Sequence, residues 1–301
     1  GSTGQSSQKS PKKSLILLLA ITLGLIMGFS FILFREMRFE GFRSPNDLSN
    51  NSGCWVLASV PIIPSRERKS VMSFFQDKPN SVFSEAVRNL RTSILMPKTD
   101  IVPQVIMMTS SVPREGKTTL TFALAQNLVG LGKRVLLIEA DIRSSNYSVD
   151  IDRKNTVALI DLLTGDRDFN NVNPFVEELG FDILSGNKSN VNAADLFASE
   201  SFAKLLTELR ENYDYILIDT PPVLFVPDAR LIGIKCDATI YVVKWNMTTK
   251  GQVYQGLDML SSVGINTIGV VLNQINSKKM KYYGYAGQYG YDAYVSKYYD
   301  G

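Results

Sequence analysis

The sequence predicts a three-layer α/β fold, a mostly parallel sheet covered by helices on both faces. Three observations carry that prediction. Short, continuously apolar runs at 105–108, 135–138, 215–218, 238–243 and 268–272 suit strands buried on both sides. Segments with helical spacing alternate with them, the order that parallel pairing requires. A turn-prone loop ending in Gly116, Lys117 and Thr118 follows the first run, and acids end two others, at the sheet edge where such folds bind ligands.

In chain order, residues 1–14 are polar and carry Lys9, Lys12 and Lys13. The chain opens with Gly-Ser-Thr-Gly rather than Met, which reads as a fragment or a processed form. Residues 15–34 carry no charge. A helix of that length rises about 1.5 Å per residue and spans roughly the 30 Å hydrocarbon core, so a transmembrane helix is expected here. A signal peptide does not fit, because Phe34, Arg35, Glu36 and Met37 offer no small-residue cleavage site. Gly24 and Gly28 form a GxxxG pair of the kind that packs helices together.

Residues 35–80 read as a connector. Residues 41–53 are rich in Ser, Asn, Pro and Gly, and Arg66, Arg68 and Lys69 form a basic cluster. Between them the apolar run 55–64 suits either an added strand or a hydrophobic latch. Residues 81–95 form an amphipathic helix with Phe83, Val87, Leu90 and Ile94 on one face. Glu85, Arg88 and Arg91 make a second stripe, which is either a solvated face or a subunit contact, since arginine pairs carboxylates bidentately.

The compact domain is expected over 81–277. Its candidate nucleotide-binding segment is Ser111, Val112, Pro113, Arg114, Glu115, Gly116, Lys117, Thr118 and Thr119. Backbone N–H groups of such a loop, and of the helix it opens, point at an anion. Lys117 reaches the β- and γ-phosphates of ATP, and the Thr118 hydroxyl ligates Mg²⁺. Ser111 stands where the general GxxxxGK[ST] pattern has its first glycine. Leu120, Leu124, Leu128 and Leu131 recur at helical spacing, and Gly132 suits the end of that helix. Further on, 181–184 suits a strand, 199–212 a helix with Phe202, Leu205, Leu206 and Leu209 inward, and 250–263 another helix.

Asp219 ends one apolar run and is placed to hold Mg²⁺ as a Walker B acid does. Glu139 and Asp141 end the neighbouring run, two residues apart, and so point to one side of the sheet. Any one of these acids alone would serve as a cap or as a partner of Arg143. Together they face the phosphate loop, so Thr118, Glu139, Asp141 and Asp219 are the candidate metal ligands. Lys117, Glu139, Asp141 and Asp219 are the candidate catalytic groups.

The tail, 278–301, holds eight of the chain's thirteen tyrosines: Tyr282, Tyr283, Tyr285, Tyr289, Tyr291, Tyr294, Tyr298 and Tyr299. Hardly any aliphatic residue accompanies them, so the tail is expected to be disordered by itself. Aromatic stacking is one use for such a segment. Every aromatic in it is tyrosine, which is the pattern of a phosphorylation target.

Composition narrows the classes. The formal net charge is only +3, so charge gives no sign of nucleic-acid binding. With no histidine and two cysteines in unrelated contexts, zinc sites, histidine-based triads and a disulfide framework are excluded. Cys236, just before a strand, suits a packed thiol.

Taken together, 110–119, 136–143, 216–222, the ExxRxxR spacing of Glu85, Arg88 and Arg91, and the tyrosine tail resemble a bacterial tyrosine kinase (BY-kinase) of the exopolysaccharide and capsule type. The first three match its Walker A, second Walker A-like and Walker B motifs. The helix at 15–34 and the following Val-Pro-Ile-Ile-Pro resemble the last membrane helix of a polysaccharide co-polymerase, or chain-length determinant.

That resemblance implies a fold related to the P-loop partitioning ATPases and transfer of the ATP γ-phosphoryl to tyrosines of a neighbouring subunit in a ring. Lys117 would stabilise the transferring charge, Thr118 and Asp219 would organise Mg²⁺, and Glu139 or Asp141 would take the phenol proton. Asn273 would meet the adenine, and Glu85, Arg88 and Arg91 would join subunits. Accumulated phosphates would dissolve the ring by like-charge repulsion. The implied partners are the co-polymerase and export machinery and a phosphotyrosine phosphatase. The implied location is the bacterial inner membrane with the kinase domain in the cytoplasm, and a periplasmic domain and first membrane helix before residue 1. Glu139 stands where the family usually has aspartate, Arg114 where it often has glycine, and Val112 where the partitioning ATPases have a signature lysine. An ATPase acting as a nucleotide switch, or a ring scaffold without catalysis, are the other readings.

Overall fold

The computed structural model describes residues 13–37, 40–63, 74, 77–96, 102–143, 156–186, 192–276 and 279–280. The basic cluster at Arg66, Arg68 and Lys69 and all eight tail tyrosines lie outside the described residues. The chain divides into two units, residues 1–40 and 41–301.

The described part of the first unit is helix α1, Lys13–Met37, of 25 residues. Its apolar side chains, among them Leu17, Leu25 and Phe31, stand exposed on every side. Thr22 returns its hydroxyl to the carbonyls of Leu18 and Leu19, each at 3.0 Å, so this hydroxyl is satisfied within the helix. Among the described residues no helix is long and apolar enough to cross a membrane.

The second unit is built on strands β1 (Val56–Pro61), β2 (Val105–Ser110), β3 (Val135–Glu139), β4 (Val157–Ala158), β5 (Phe175–Val176), β6 (Phe181–Ser185), β7 (Tyr215–Asp219), β8 (Ala238–Lys244) and β9 (Thr267–Ile275). Among the described residues they form one sheet in the order β1–β9–β8–β2–β7–β3–β6–β4. Every pair along that path is parallel, and β5 joins β6 antiparallel. The helices of this unit are α2 (Pro45–Ser52), α3 (Val82–Leu95), α4 (Lys117–Val129), α5 (Leu159–Thr164), α6 (Ala193–Ala198), α7 (Glu200–Asn212), α8 (Asp228–Gly233) and α9 (Lys250–Ser261).

The apolar runs become buried strands because both faces of the sheet are covered. Every residue of β2, β3 and β7 is buried. Alternate residues of β2 enter opposite cores. Ile106 and Met108 pack with Leu90 and Ile94 of α3 and Leu120 and Leu124 of α4. Val105 and Met107 pack with Phe202 and Leu206 of α7 and Val253 of α9. Helix starts fall at capping residues. The hydroxyls of Ser81, Ser199 and Thr249 accept from the backbone N–H of Ser84, Phe202 and Gln252, and Gln252 completes a capping box. Helix α4 ends at Val129, and Gly132 turns the chain behind it at φ 74°.

The connector expected over 35–80 is shorter than its composition implies, because residues 41–63 belong to the folded unit. Ser44 caps α2 through Asp47 N, Pro45 occupies its first turn, and Gly53 closes it in the left-handed conformation at φ 67°. Ser, Pro and Gly here punctuate a short helix rather than a linker. Phe42 and Leu48 are buried in the core. The run after α2 is a strand. It adds β1 parallel to β9, pairing Val56 with Val270 and Ser59 with Leu272, at the sheet edge where its terminal proline is tolerated.

Asp237, just before β8, fixes the entry to β2. One carboxylate oxygen accepts from Gln104 N at 3.0 Å and Val105 N at 2.8 Å, and Arg210 of α7 grips both oxygens at 2.9 and 2.7 Å. Burial opposes its charge, but Arg210 and the two backbone donors hold the carboxyl below its ordinary 3.8. A depressed carboxyl stabilises the fold fully above its unfolded value and loses that contribution as pH falls through its folded one. Asp237→Asn is therefore expected to cost about 1–3 kcal/mol at pH 7. In urea titrations, the gap from the parent should close as pH drops below about 4.

Candidate active site

The sheet order places the candidate residues before any side chain is considered. Strand β7 lies between β2 and β3, with Asp219 opposite Met108 on one side and Glu139 on the other. The phosphate loop leaves the end of β2 beside Asp219. Gly116 then turns into α4 at φ 86°, and no side chain caps that helix. Its first N–H groups are left for a ligand, and the helix dipole favours an anion there.

Lys117 is the hub. Its Nζ lies 3.3 Å from Asp219 Oδ1 and 3.3 Å from Asp141 Oδ2. Burial opposes the ammonium charge, but the two carboxylates outweigh it and hold Lys117 above its ordinary value. Thr118 donates its hydroxyl to Asp219 Oδ2 at 2.6 Å. Lys117, Thr118, Asp141 and Asp219 thus form one connected cluster at the carboxyl ends of β2, β3 and β7.

Glu139 is turned differently. It is 3% exposed, and its Oε2 accepts from Gly186 N at 3.3 Å. A Cβ on Gly186 would stand 2.4 Å from the Glu139 carbonyl, so glycine is needed for this approach. Asp141 is the more accessible acid, with a side-chain exposure of 20%. Arg143, weighed as a partner for these acids, instead makes a two-pronged bond to Asp228 at the start of α8, at 2.8 and 3.1 Å.

Among the described residues no three acids, cysteines or histidines lie close enough to hold a metal alone. Mg²⁺ needs less, since it keeps waters and takes one or two protein oxygens plus substrate phosphates. Thr118 and Asp219 fit that role, Asp141 lies next to them, and Glu139 is directed to Gly186.

The loop itself is not a free glycine-rich coil. Ser111, in the position of the first glycine, shares a 2.8 Å hydrogen bond with the buried Tyr241 hydroxyl on β8. Pro113 and Arg114 form the exposed crest. Arg114 adopts φ 68°, the left-handed region that favours glycine. Glu115 is 1% exposed and points inward. Its oxygens accept from Val112 N at 2.7 Å, from Lys244 N at 3.1 Å and from the Thr248 hydroxyl. Burial pushes its carboxyl up, against the hydrogen bonds from Thr248, Val112, Lys244 and Ser110. Asn273, on β9, donates to the Glu115 carbonyl at 2.8 Å, which places its amide against the loop.

Away from this cluster, Glu85 and Arg88 pair on α3, and Arg88 also reaches the Pro79 carbonyl at 2.6 Å. Arg91 turns inward and donates to the Asn127 carbonyl in the last turn of α4, at 3.2 Å. Sequence reasoning missed Tyr241, Thr248, Gly256 and Asp228. A Cβ on Gly256 would come within 1.8 Å of the Tyr241 hydroxyl, so this α9 glycine makes room for the tyrosine that holds Ser111. A glycine within a helical stretch was the one local sign of it.

Residues 104–276 match the family model described as AAA domain. This chain belongs to that family. Over 295 residues the AAA chain is 31% identical to the tyrosine-protein kinase wzc of Salmonella typhimurium, covering 94% of this chain and 41% of that protein. It is 28% identical over 299 residues to the tyrosine-protein kinase etk of Escherichia coli, covering 93% and 41%. The chain therefore spans about two fifths of these curated relatives. Among solved structures, the kinase domain of E. coli tyrosine kinase ETK matches at TM-score 0.69 and 26% identity, over 76% of this chain and 93% of that one. The BceF tyrosine kinase domain matches at 0.67 and 27%, over 79% and 100%. The sheet and phosphate loop make this a P-loop NTPase fold.

Removing the hub cation should expose the cost of the acids. Lys117→Met leaves Asp219, whose carboxyl burial already pushes up, without its cation. A raised carboxyl costs stability above its unfolded value, and the cost fades as pH falls through its folded one. The variant should lose on the order of 3 kcal/mol at pH 7.5 and recover toward the parent as pH is lowered, read as thermal midpoints along a pH series.

Proposed function

We propose that this chain is part of a membrane-anchored, self-phosphorylating protein-tyrosine kinase of the exopolysaccharide and capsule type. It transfers the ATP γ-phosphoryl to tyrosines in the tail of a neighbouring subunit. The observation that carries the reading is the cluster of Lys117, Thr118, Asp141 and Asp219 at the uncapped start of α4. The likeness to kinase domains named for tyrosine phosphorylation, at more than 25% identity, supports the choice of substrate.

In this reading the N–H groups of 114–118 and of the first turn of α4 bind the phosphates. Lys117 exchanges its carboxylate partners for the β- and γ-phosphates and stabilises charge on the transferring group. Thr118 and Asp219 would hold Mg²⁺, which would neutralise negative charge on the phosphates during transfer. A phenol of pKa about 10 needs a base at neutral pH. Asp141, accessible and beside Lys117, is the proposed acceptor of that proton, with Glu139 holding Gly186 and so the neighbouring loop in place. Asn273 acts on the nucleotide through the loop it contacts, and a role at the adenine follows from the family likeness.

The uncharged run 15–34 is proposed as the membrane anchor, long enough at about 1.5 Å per residue to span roughly 30 Å. ATP places the second unit on the cytoplasmic side of a bacterial inner membrane. Self-association through Glu85, Arg88 and Arg91, export machinery as partner and a phosphatase that resets the tail belong to the same proposal.

The test uses the whole chain in detergent, treated with phosphatase and then given Mg-ATP beside Lys117→Met. Peptide mass spectrometry should find phosphate on several of Tyr282 to Tyr299 in the parent and none in the variant. A bare tail in a parent that still hydrolyses ATP would overturn the kinase reading in favour of a nucleotide switch.

A further inference from the structure

Glu115 occupies a phosphate-loop position yet commits both carboxylate oxygens to the protein. It reaches back to Val112 N at 2.7 Å and across to Lys244 N at 3.1 Å, the last residue of β8, and to the buried Thr248 hydroxyl before α9. Its own carbonyl is held by Asn273 of β9 at 2.8 Å. One residue thus ties the loop to two strands and to the β8–α9 junction, through side chain and backbone together. The packing is close enough that a Cβ on Gly116 would stand 2.5 Å from Asn273 Nδ2. Pro113 has no N–H, so Val112 offers the last backbone donor before the crest, and that donor goes to Glu115 rather than to a ligand.

We infer that Glu115 is a positioning residue that pre-forms the phosphate loop by fastening Val112 to Lys244 and Thr248 before nucleotide arrives. It does not touch the nucleotide. Ordering a backbone costs entropy, and a loop ordered in advance leaves that cost out of the binding step. A second brace, Ser111 on Tyr241, holds the other end of the loop. The inference rests on the nucleotide reading of this site and adds how the site is kept ready.

The experiment measures binding of a fluorescent ADP analogue with Mg²⁺ to the whole chain in detergent, at equilibrium and by stopped flow, with thermal midpoints recorded alongside. Glu115→Ala should weaken binding roughly tenfold, the scale of a lost charge-assisted contact, with the loss mainly in a slower association. Glu115→Gln, which keeps one acceptor oxygen, should fall between parent and alanine variant. Thr248→Val, which removes the donor to Glu115 and one of the two acceptors of Lys244 N, should weaken binding about threefold. If Glu115→Ala fails to fold, the glutamine and valine variants carry the test. Parent-like association in both, with only the thermal midpoint changed, would make Glu115 a stability residue and overturn the inference. A parent that does not bind the analogue would instead overturn the nucleotide reading beneath it.

Discussion

The burial of the Lys117 ammonium is the constraint on which the rest of the site depends. An ammonium this deep is tolerable only with anions around it, and an apolar sheet supplies none along its strands. Its partners must come from strand ends, and from different strands, since Asp219 and Asp141 approach it separately at 3.3 Å. Placing β7 between β2 and β3 achieves this. The crossover through α4 skips one position in the sheet, and the vacancy is filled by the strand that ends in Asp219. In the proposed reading, the same carboxylates that stabilise Lys117 are the groups a bound phosphate displaces from it. Nucleotide therefore replaces one set of anions by another rather than charging a neutral pocket, and the net gain of each contact is smaller than its Coulomb energy implies.

The phosphate loop shows a second side of the same economy. Backbone donors that await an anion must be left unpaired, but a loop with many unpaired donors has little to hold its shape. Here the two demands fall on different residues. The donors at the start of α4 have no side-chain cap, while Ser111, Glu115 and Asn273 fasten the loop to β8 and β9 from behind. Arg114 at the crest adopts a left-handed conformation that costs about 1 kcal/mol for a residue with a Cβ. Strain of that size persists where the surroundings over-determine the backbone, as these fastenings do.

Much of this was legible in the sequence because its signals are local. Continuous apolar runs marked the strands, and apolar residues at helical spacing marked the helices, the one before Gly132 ending at Val129. Lys117, Thr118, Asp141 and Asp219, singled out by their positions after strands, are brought into one cluster by the fold. The rest was hidden because it depends on pairing across long chain distances. Glu115 meets Thr248, Ser111 meets Tyr241 and Arg143 meets Asp228, each joined only once the sheet order exists. Glu139 and Asp141 were equivalent by spacing, and the contact with Gly186 separates them. The segment 41–63 was misjudged for a related reason. Serine, proline and glycine mark both a linker and a short capped helix, and only the partner strand β9 distinguishes the two.

The ExxRxxR stripe is where local pattern and structure bear on each other most directly. As a stripe it presents three charged groups. In the fold, Arg88 already holds Glu85 and the Pro79 carbonyl, and Arg91 already holds the last turn of α4. A neighbouring subunit that recruits these arginines exchanges existing bonds and gains few new ones, so electrostatics here confers orientation more than affinity. The exception is Arg91 Nε, buried and without a partner among the described residues. Arg91 also touches the C-terminal end of the helix whose N-terminal end opens the phosphate site. A contact that drew Arg91 outward would release a cation from the negative end of that helix dipole, so the stripe on α3 bears on the far end of the helix that opens the phosphate loop.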